Sequence, residues 1–228
     1  MPASSDAKFE IVHLEKPSDQ EIDRITKVLN SAFEGDPFSS IVVGGYTDRP
    51  ELVRLQTRQG VAAAGIGGTI HVLKADGDIV GAALWFKPGQ SMNSTEEQRA
   101  AGWDEFMSIS PDDLKSWWLD YFIPLMSKHS KEAFGTGKNG GVYPLEAWHL
   151  HLFGILPQFQ GKGYGKKLVQ FAEAEATKDE KDGVIVVETT TDVDVIIYTK
   201  LGFEIKKQIE VQSCLGNARV WFMMKRVG

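Results

Sequence analysis

The chain predicts a mixed α/β (α+β) domain, and three stretches carry that prediction. Over residues 146–188 a strand-like run, a glycine-rich turn, a helix-like run and a second apolar run follow one another. That order over roughly 40 residues is one βαβ unit. Around Asp76-Gly77, runs over 69–75 and 79–86 read as a β-hairpin. Ser18 with Glu21 is a capping box, and Ile22, Ile25, Val28, Leu29, Ala32 and Phe33 follow it at helical spacing.

The remaining elements fall into place in chain order. Residues 9–14 read as a short first strand. Asp48-Arg49-Pro50-Glu51 opens a second helix, with Pro50 in its first turn. Glycines over 65–68 are expected to break it. Ser94 with Glu97 is expected to start the next helix, and Ser110-Pro111 the one after. The apolar stripe of that last helix is Leu114, Trp117, Trp118, Tyr121 and Leu125. Residues 90–130 therefore look like a helical insertion that packs on the sheet or covers a pocket. A Gly-rich loop over 134–141 precedes the strand at 146–156. Beyond the glycine turn come a helix to about residue 181 and a continuous apolar run over 184–188, as expected of a strand covered on both faces. A short helix over 192–200 and strands over 203–211 and 220–225 close the chain. Residues 1–8 are expected to be a flexible tail, and 9–228 a single domain.

Bulk numbers exclude several classes. With 228 residues, 42% apolar and 25% charged, the chain is an ordinary globular protein with a real core. The net charge of −6 argues against a nucleic-acid partner, whose footprint is a basic patch. No apolar run approaches the roughly 20 residues of a membrane helix, and residues 1–7 lack a signal-peptide apolar region. Cys214 is the only cysteine, so neither a disulfide framework nor a Cys-cluster metal site is available. The expectation is a reducing compartment, the cytoplasm.

The richest segment is Gln160-Gly161-Lys162-Gly163-Tyr164-Gly165. Glycines let backbone N–H groups approach a phosphate, and the positive end of the helix dipole favours an anion there. It is not a P-loop, because no Ser or Thr follows the lysines. It is not the dinucleotide fingerprint either, because the third glycine comes one place early. A formal G-x-G-x-x-G does occur at 135–140, but it precedes a strand and reads as a loop. What fits is [QR]-x-x-G-x-[GA] after a strand.

On that loop, and on Tyr198-Thr-Lys-Leu-Gly202-Phe203 downstream, the chain resembles the GNAT superfamily of acyl-CoA-dependent N-acetyltransferases. The two motifs cover roughly residues 146–210. From Glu146 onward the sequence also resembles the puromycin N-acetyltransferases. The resemblance implies one mixed, mostly antiparallel sheet of six or seven strands flanked by helices. It implies acetyl-CoA as donor and an amine as acceptor. Amides of Gly161, Lys162, Gly163, Tyr164, Gly165 and Lys166, with Gln160, would hold the pyrophosphate. The backbone of Phe153, Gly154 and Ile155 would pair with the pantetheine arm. Tyr198 would protonate the leaving sulfur.

His149 and His151 are the candidate bases. Two apart on a strand, they share a face, and an imidazole near pKa 6.5 takes a proton at neutral pH. The serotonin N-acetyltransferases resemble the chain in this H-x-H pair. No third ligand is evident nearby, so no metal is expected. Glu146 is a rival base on the other face of a regular strand. Thr191 with Asp194 caps a helix. Phe33, Asp36 and Phe38 follow the first helix and, with Trp85, are candidate acceptor contacts. Trp117, Trp118 and Trp148 are read as core first. The acceptor is expected to be a small molecule; a peptide or protein acceptor, or a non-catalytic acyl-CoA sensor, are the alternatives.

Overall fold

Strand backbones need partners for their N–H and C=O groups, and among the described residues they pair in one seven-stranded sheet in the order β1-β2-β3-β4-β5-β7-β6. The computed structural model describes residues 8–135, 145–179 and 183–227. The strands are β1 (Phe9–His13), β2 (Thr69–Ala75), β3 (Asp78–Phe86), β4 (Trp148–Ile155), β5 (Gly183–Thr189), β6 (Glu204–Ser213) and β7 (Gly216–Val227). The helices are α1 (Asp19–Ala32), α2 (Pro37–Ile41), α3 (Pro50–Gly67), α4 (Glu96–Gln98), α5 (Asp104–Ile109), α6 (Asp112–Ser116), α7 (Ile123–Phe134), α8 (Tyr164–Asp179) and α9 (Asp192–Lys200). Wider π-helical turns over Arg99–Trp103 and Trp117–Phe122 join α4 to α5 and α6 to α7. Among the described residues only β4 and β5 pair in parallel, with α8 between them in the chain.

Two layers cover the sheet. Leu168, Val169, Ala172 and Ala176 of α8 pack on Leu73, Trp85, Trp148, Leu150, Ile185 and Met223. On the opposite face, Ile25, Leu29, Val61 and Ala62 of α1 and α3 pack on Ile70, Val72, Leu84 and Phe86. Phe134 of α7 continues that second layer over Val184, Val186, Val220 and Phe222. The insertion also packs sideways on α3, where Leu52 and Leu55 meet Trp103, Phe106 and Trp118.

The hairpin turn is as expected: Asp76 and Gly77 both have positive φ, 50° and 88°, as a two-residue turn requires. The Ser18–Glu21 capping box is present too. Ser18 Oγ accepts the Glu21 N–H at 3.3 Å, and Glu21 Oε2 accepts the Ser18 N–H at 2.9 Å. Ser18→Ala is expected to cost about 1 kcal/mol, or roughly 2–4 °C in Tm for a chain of this size. Calorimetry checks it.

Three local expectations need correction. The helix start near residue 94 is one residue later: Thr95 is the N-cap, and Gln98, not Glu97, closes the box. Gln98 wins because its side chain is also buried against α3, donating from Nε2 to the Ala63 carbonyl at 3.3 Å. The end of α3 falls inside the expected glycine stretch, at Gly67 with Gly68 as its C-cap, but Gly65 and Gly67 themselves stay helical. They serve close packing instead; a Cβ on Gly65 would lie 2.8 Å from Pro17 Cγ. Glu146 lies in the turn before β4, outside the strand, so the parity assigned to it does not apply. The proposed tail, residues 1–8, and the loop at 134–141 lie largely outside the described residues.

Candidate active site

β4 is where the sheet opens. It pairs with β5 at Trp148↔Ile185, His149↔Val186 and Leu150↔Val187, and the pairing stops there. Yet β4 continues to Ile155, paired on its other side with β3 through Phe153, Gly154 and Ile155. On its β5 side the backbone of 152–155 is therefore left without a strand partner. A bulge prepares the parting. Leu84 pairs with Leu152 but Trp85 with Leu150, which leaves His151 as the extra residue. The bulge switches parity, so Trp148 and Leu150 face α8, and so do Phe153 and Ile155 beyond it.

The glycine turn sits at the end of that edge. Gly161 and Gly163 have φ of 73° and 79°, the left-handed region that glycine enters without strain. Nothing lies within 4 Å of where their Cβ atoms would be, so backbone shape rather than crowding calls for glycine there. Gly165 has the opposite reason: an added Cβ would come 3.0 Å from Phe153 Cζ, so α8 could not start so close to β4. Gln160 Nε2 donates to the Ile155 carbonyl at 2.8 Å, tying the turn to the strand. The Lys167 N–H reaches the Gly163 carbonyl at 3.2 Å. The amides of Tyr164, Gly165 and Lys166 are then the open ones at the head of α8. The Tyr164 ring itself is a packing group, stacked on Phe9 at 4.2 Å, so only its backbone is offered.

His149 and His151 do share a face, the one covered by α1 and α3, with ring centroids 5.9 Å apart. The structure separates their roles. His149 Nε2 lies 2.6 Å from Glu188 Oε2 on β5, and both side chains are 18% exposed, open to a ligand yet shielded from bulk water. A carboxylate only accepts, so Nε2 carries the hydrogen and Nδ1 the lone pair. Burial alone would raise the Glu188 carboxyl. The charge and hydrogen bond of His149, then His151, outweigh it and hold the group below the ordinary glutamate value. Burial, then the neighbouring His149, pushes His151 down to about 4. It is therefore neutral at working pH and a poor base. Its ring packs edge-on to Phe86, and a Cβ on Gly60 of α3 would come 3.7 Å from its Nε2.

Glu188 was not among the expected site residues. Its signal was present: one carboxylate on a strand otherwise apolar, in phase with Val184 and Val186. Tyr198 is 7% exposed on α9, edge-on to Phe203 at 5.4 Å. Burial, then Asp194, raises its hydroxyl well above the usual tyrosine value, so it stays a donor. The Thr191–Asp194 cap is as expected, with the Asp194 N–H on Thr191 Oγ1 at 3.1 Å.

Asp36 caps α2, accepting the Phe38 N–H at 2.7 Å. Burial raises its carboxyl, the Phe38 N–H opposes that, and the charge of Asp194 raises it further. The α1–α2 turn thus faces the start of α9. Phe33 ends α1 beside β4, 3.9 Å from where a Gly154 Cβ would stand. Phe38 instead turns to the insertion, 5.9 Å from Phe122. Trp85 does not join this group. It is fully buried on the α8 face, edge-on to Trp148 at 6.0 Å. Trp117, Trp118 and Trp148 are packing residues; Trp118 Nε1 donates to the Val42 carbonyl at 3.0 Å.

Comparison with known proteins agrees with this architecture. Residues 129–205 match the family described as Acetyltransferase (GNAT) domain. Among solved structures, a mosquito arylalkylamine N-acetyltransferase like 5b is similar with 15% identity and a TM-score of 0.64, over 96% of this chain and 100% of that one. A histone acetyltransferase HPA2 and related acetyltransferase from Corynebacterium glutamicum gives 18% identity and 0.61, over 96% and 97%. The Drosophila melanogaster polyamine N-acetyltransferase, which forms N-acetylagmatine, gives 14% and 0.60, over 96% and 100%. No curated protein sequence matches the chain. The fold is that of the GNAT acetyltransferases. Among the described residues, no helix is long and apolar enough to cross a membrane.

Proposed function

We propose that the chain is an acetyl-CoA-dependent N-acetyltransferase acting on a small amine by direct attack in a ternary complex. One observation carries the reading: β4 parts from β5 beyond Leu150, beside the left-handed turn at Gly161 and Gly163. A nucleotide phosphate alone would need the turn but not the gap. A pyrophosphate joined to an extended amide-bearing arm needs both. Phe153, Gly154 and Ile155 would pair with the arm, and the amides from Gly161 to Lys166 would hold the pyrophosphate.

The chemistry follows from the remaining groups. An amine is an ammonium at neutral pH and must lose one proton before it attacks. His149 Nδ1 takes that proton, directly or through water, and Glu188 stabilises the imidazolium. The nitrogen then bonds to the thioester carbon, the C–S bond breaks, and the second amine proton ends on the CoA thiol. Tyr198 donates a hydrogen bond to the sulfur as negative charge develops there. A phenol held so far above the thiol range is a better hydrogen-bond donor than proton donor. Tyr198→Phe is expected to lower turnover about 10²-fold while acetyl-CoA affinity, measured by calorimetry, stays within about threefold.

A small acceptor is favoured over a peptide because α4–α7 pack their aromatic side chains against α3 and the β6–β7 face, where a peptide groove would need to be open. Two of the similar structures are named for small amines. A free exposed thiol at Cys214 suits the cytoplasm. Acetyl-CoA thermal shift with a panel of amines and peptides tests the reading. No stabilisation by CoA or acetyl-CoA at saturation contradicts it.

A further inference from the structure

On the face of the sheet opposite the histidine pair, three side chains distant in sequence come together. His13 lies on β1 and His71 on β2, and the two are direct cross-strand partners. Glu175 comes down onto them from α8. One ligating atom from each lies within 4.8 Å of the others; among the described residues, this is the one His/Cys/Asp/Glu group that converges so. The histidine rings stand perpendicular, 5.4 Å apart. His71 Nε2 is 3.2 Å from Glu175 Oε2. The His149–His151–Glu188 group does not converge in this way.

We propose that His13, His71 and Glu175 form a binding site for a divalent transition cation of the Zn²⁺ class. Two imidazoles and a carboxylate suit such an ion, with a fourth position for water. The spacing suits it as well. Bonds of about 2.0–2.1 Å at a tetrahedral angle put neighbouring ligand atoms about 3.4 Å apart, close to the 3.2 Å found for His71 and Glu175. The His71 side chain is fully buried, locked by Phe171 edge-on at 5.0 Å, so one ligand is held in place beforehand. A cation here joins the edge strand β1 to β2 and to the helix that carries the glycine turn at its other end. Its role is to fasten that helix to the sheet, because a site formed only in the folded chain adds its binding free energy to stability.

The test uses the full chain, stripped with a chelator and titrated with Zn²⁺, then with Co²⁺ as a spectroscopic probe. Expected are one equivalent bound, visible Co²⁺ absorption of a four-coordinate site, and a Tm rise of about 5–10 °C at a hundredfold excess over Kd. His13→Ala, at the sheet edge, and Glu175→Gln should each weaken binding at least tenfold and abolish the Co²⁺ band. His149→Ala should leave metal affinity unchanged, which separates this site from the proposed catalytic one. His71→Ala is a secondary variant, since removing a buried ring threatens folding. No Zn²⁺ or Co²⁺ binding by the wild type overturns the proposal and makes the trio a hydrogen-bonded histidine cluster. Affinity unchanged in both His13→Ala and Glu175→Gln overturns it too.

Discussion

Glu188→Gln and His149→Ala are each expected to lower turnover by about 10²–10⁴-fold, the usual range for loss of a positioned proton acceptor. The two losses should not add, because the residues act as one unit through the 2.6 Å contact. The amide of Glu188→Gln fills the same space but carries no charge. It leaves the imidazolium that forms at His149 during the transfer without its counter-ion, and that is the source of the lost rate. His149→Ala should move the acid limb of the pH–rate profile to higher pH, toward the pKa of the free amine, since solvent must then take the proton. His151→Ala is predicted to leave the limb in place. With its pKa pushed to about 4, His151 is already neutral wherever the enzyme works. Its signature lies in stability. Because the folded value is below the ordinary 6.5, the unfolded chain binds the proton more readily. Stability is therefore whole above about pH 6.5 and declines as pH falls toward 4. His151→Ala should flatten that part of the curve. A pH–rate profile for the three variants, alongside acid melts, decides the assignment.

Gly161→Val and Gly163→Val attack the donor site instead. A β-branched residue at φ near +75° costs roughly 1–2 kcal/mol per position, and the chain relieves it by turning amides away from the anion. Acetyl-CoA affinity should fall about 10-fold for each and about 10²-fold for the pair. Neither site is crowded, so the fold itself should survive with a Tm close to wild type. Gly165→Val differs: its side chain would press on Phe153, and both affinity and Tm should drop. Calorimetric titration with acetyl-CoA and a thermal melt on each variant separate the two causes.

What could be read from the sequence was whatever depends on neighbours in the chain. The Ser18 cap, the Asp76-Gly77 turn and the βαβ crossover are local patterns, and all three are present. So is the phase that puts His149 and His151 on one face. Failures came where distant packing overrode local preference. Gln98 displaced Glu97 because it reaches Ala63, 35 residues away. Trp85 reads as a pocket wall by type, but strand parity sends it into the core under α8. Glu188 meets His149 across 39 residues, and His71 meets Glu175 across 104, so nothing in local spacing announced either pair. The bulge at His151 is equally silent in sequence, yet it is what puts Phe153 and Ile155 on the α8 face along with Trp148 and Leu150.

The most direct test of the account is a mass-spectrometric acceptor screen of the wild-type chain with acetyl-CoA and a panel of small amines, peptides and no acceptor. The predicted result is an acetylated small amine, 42 Da heavier per transfer by the chemistry of replacing N–H with N-acetyl (about 42 Da), matched by free CoA and lost in Glu188→Gln. Acetyl-CoA left intact with every acceptor would contradict it, even if acetyl-CoA binds.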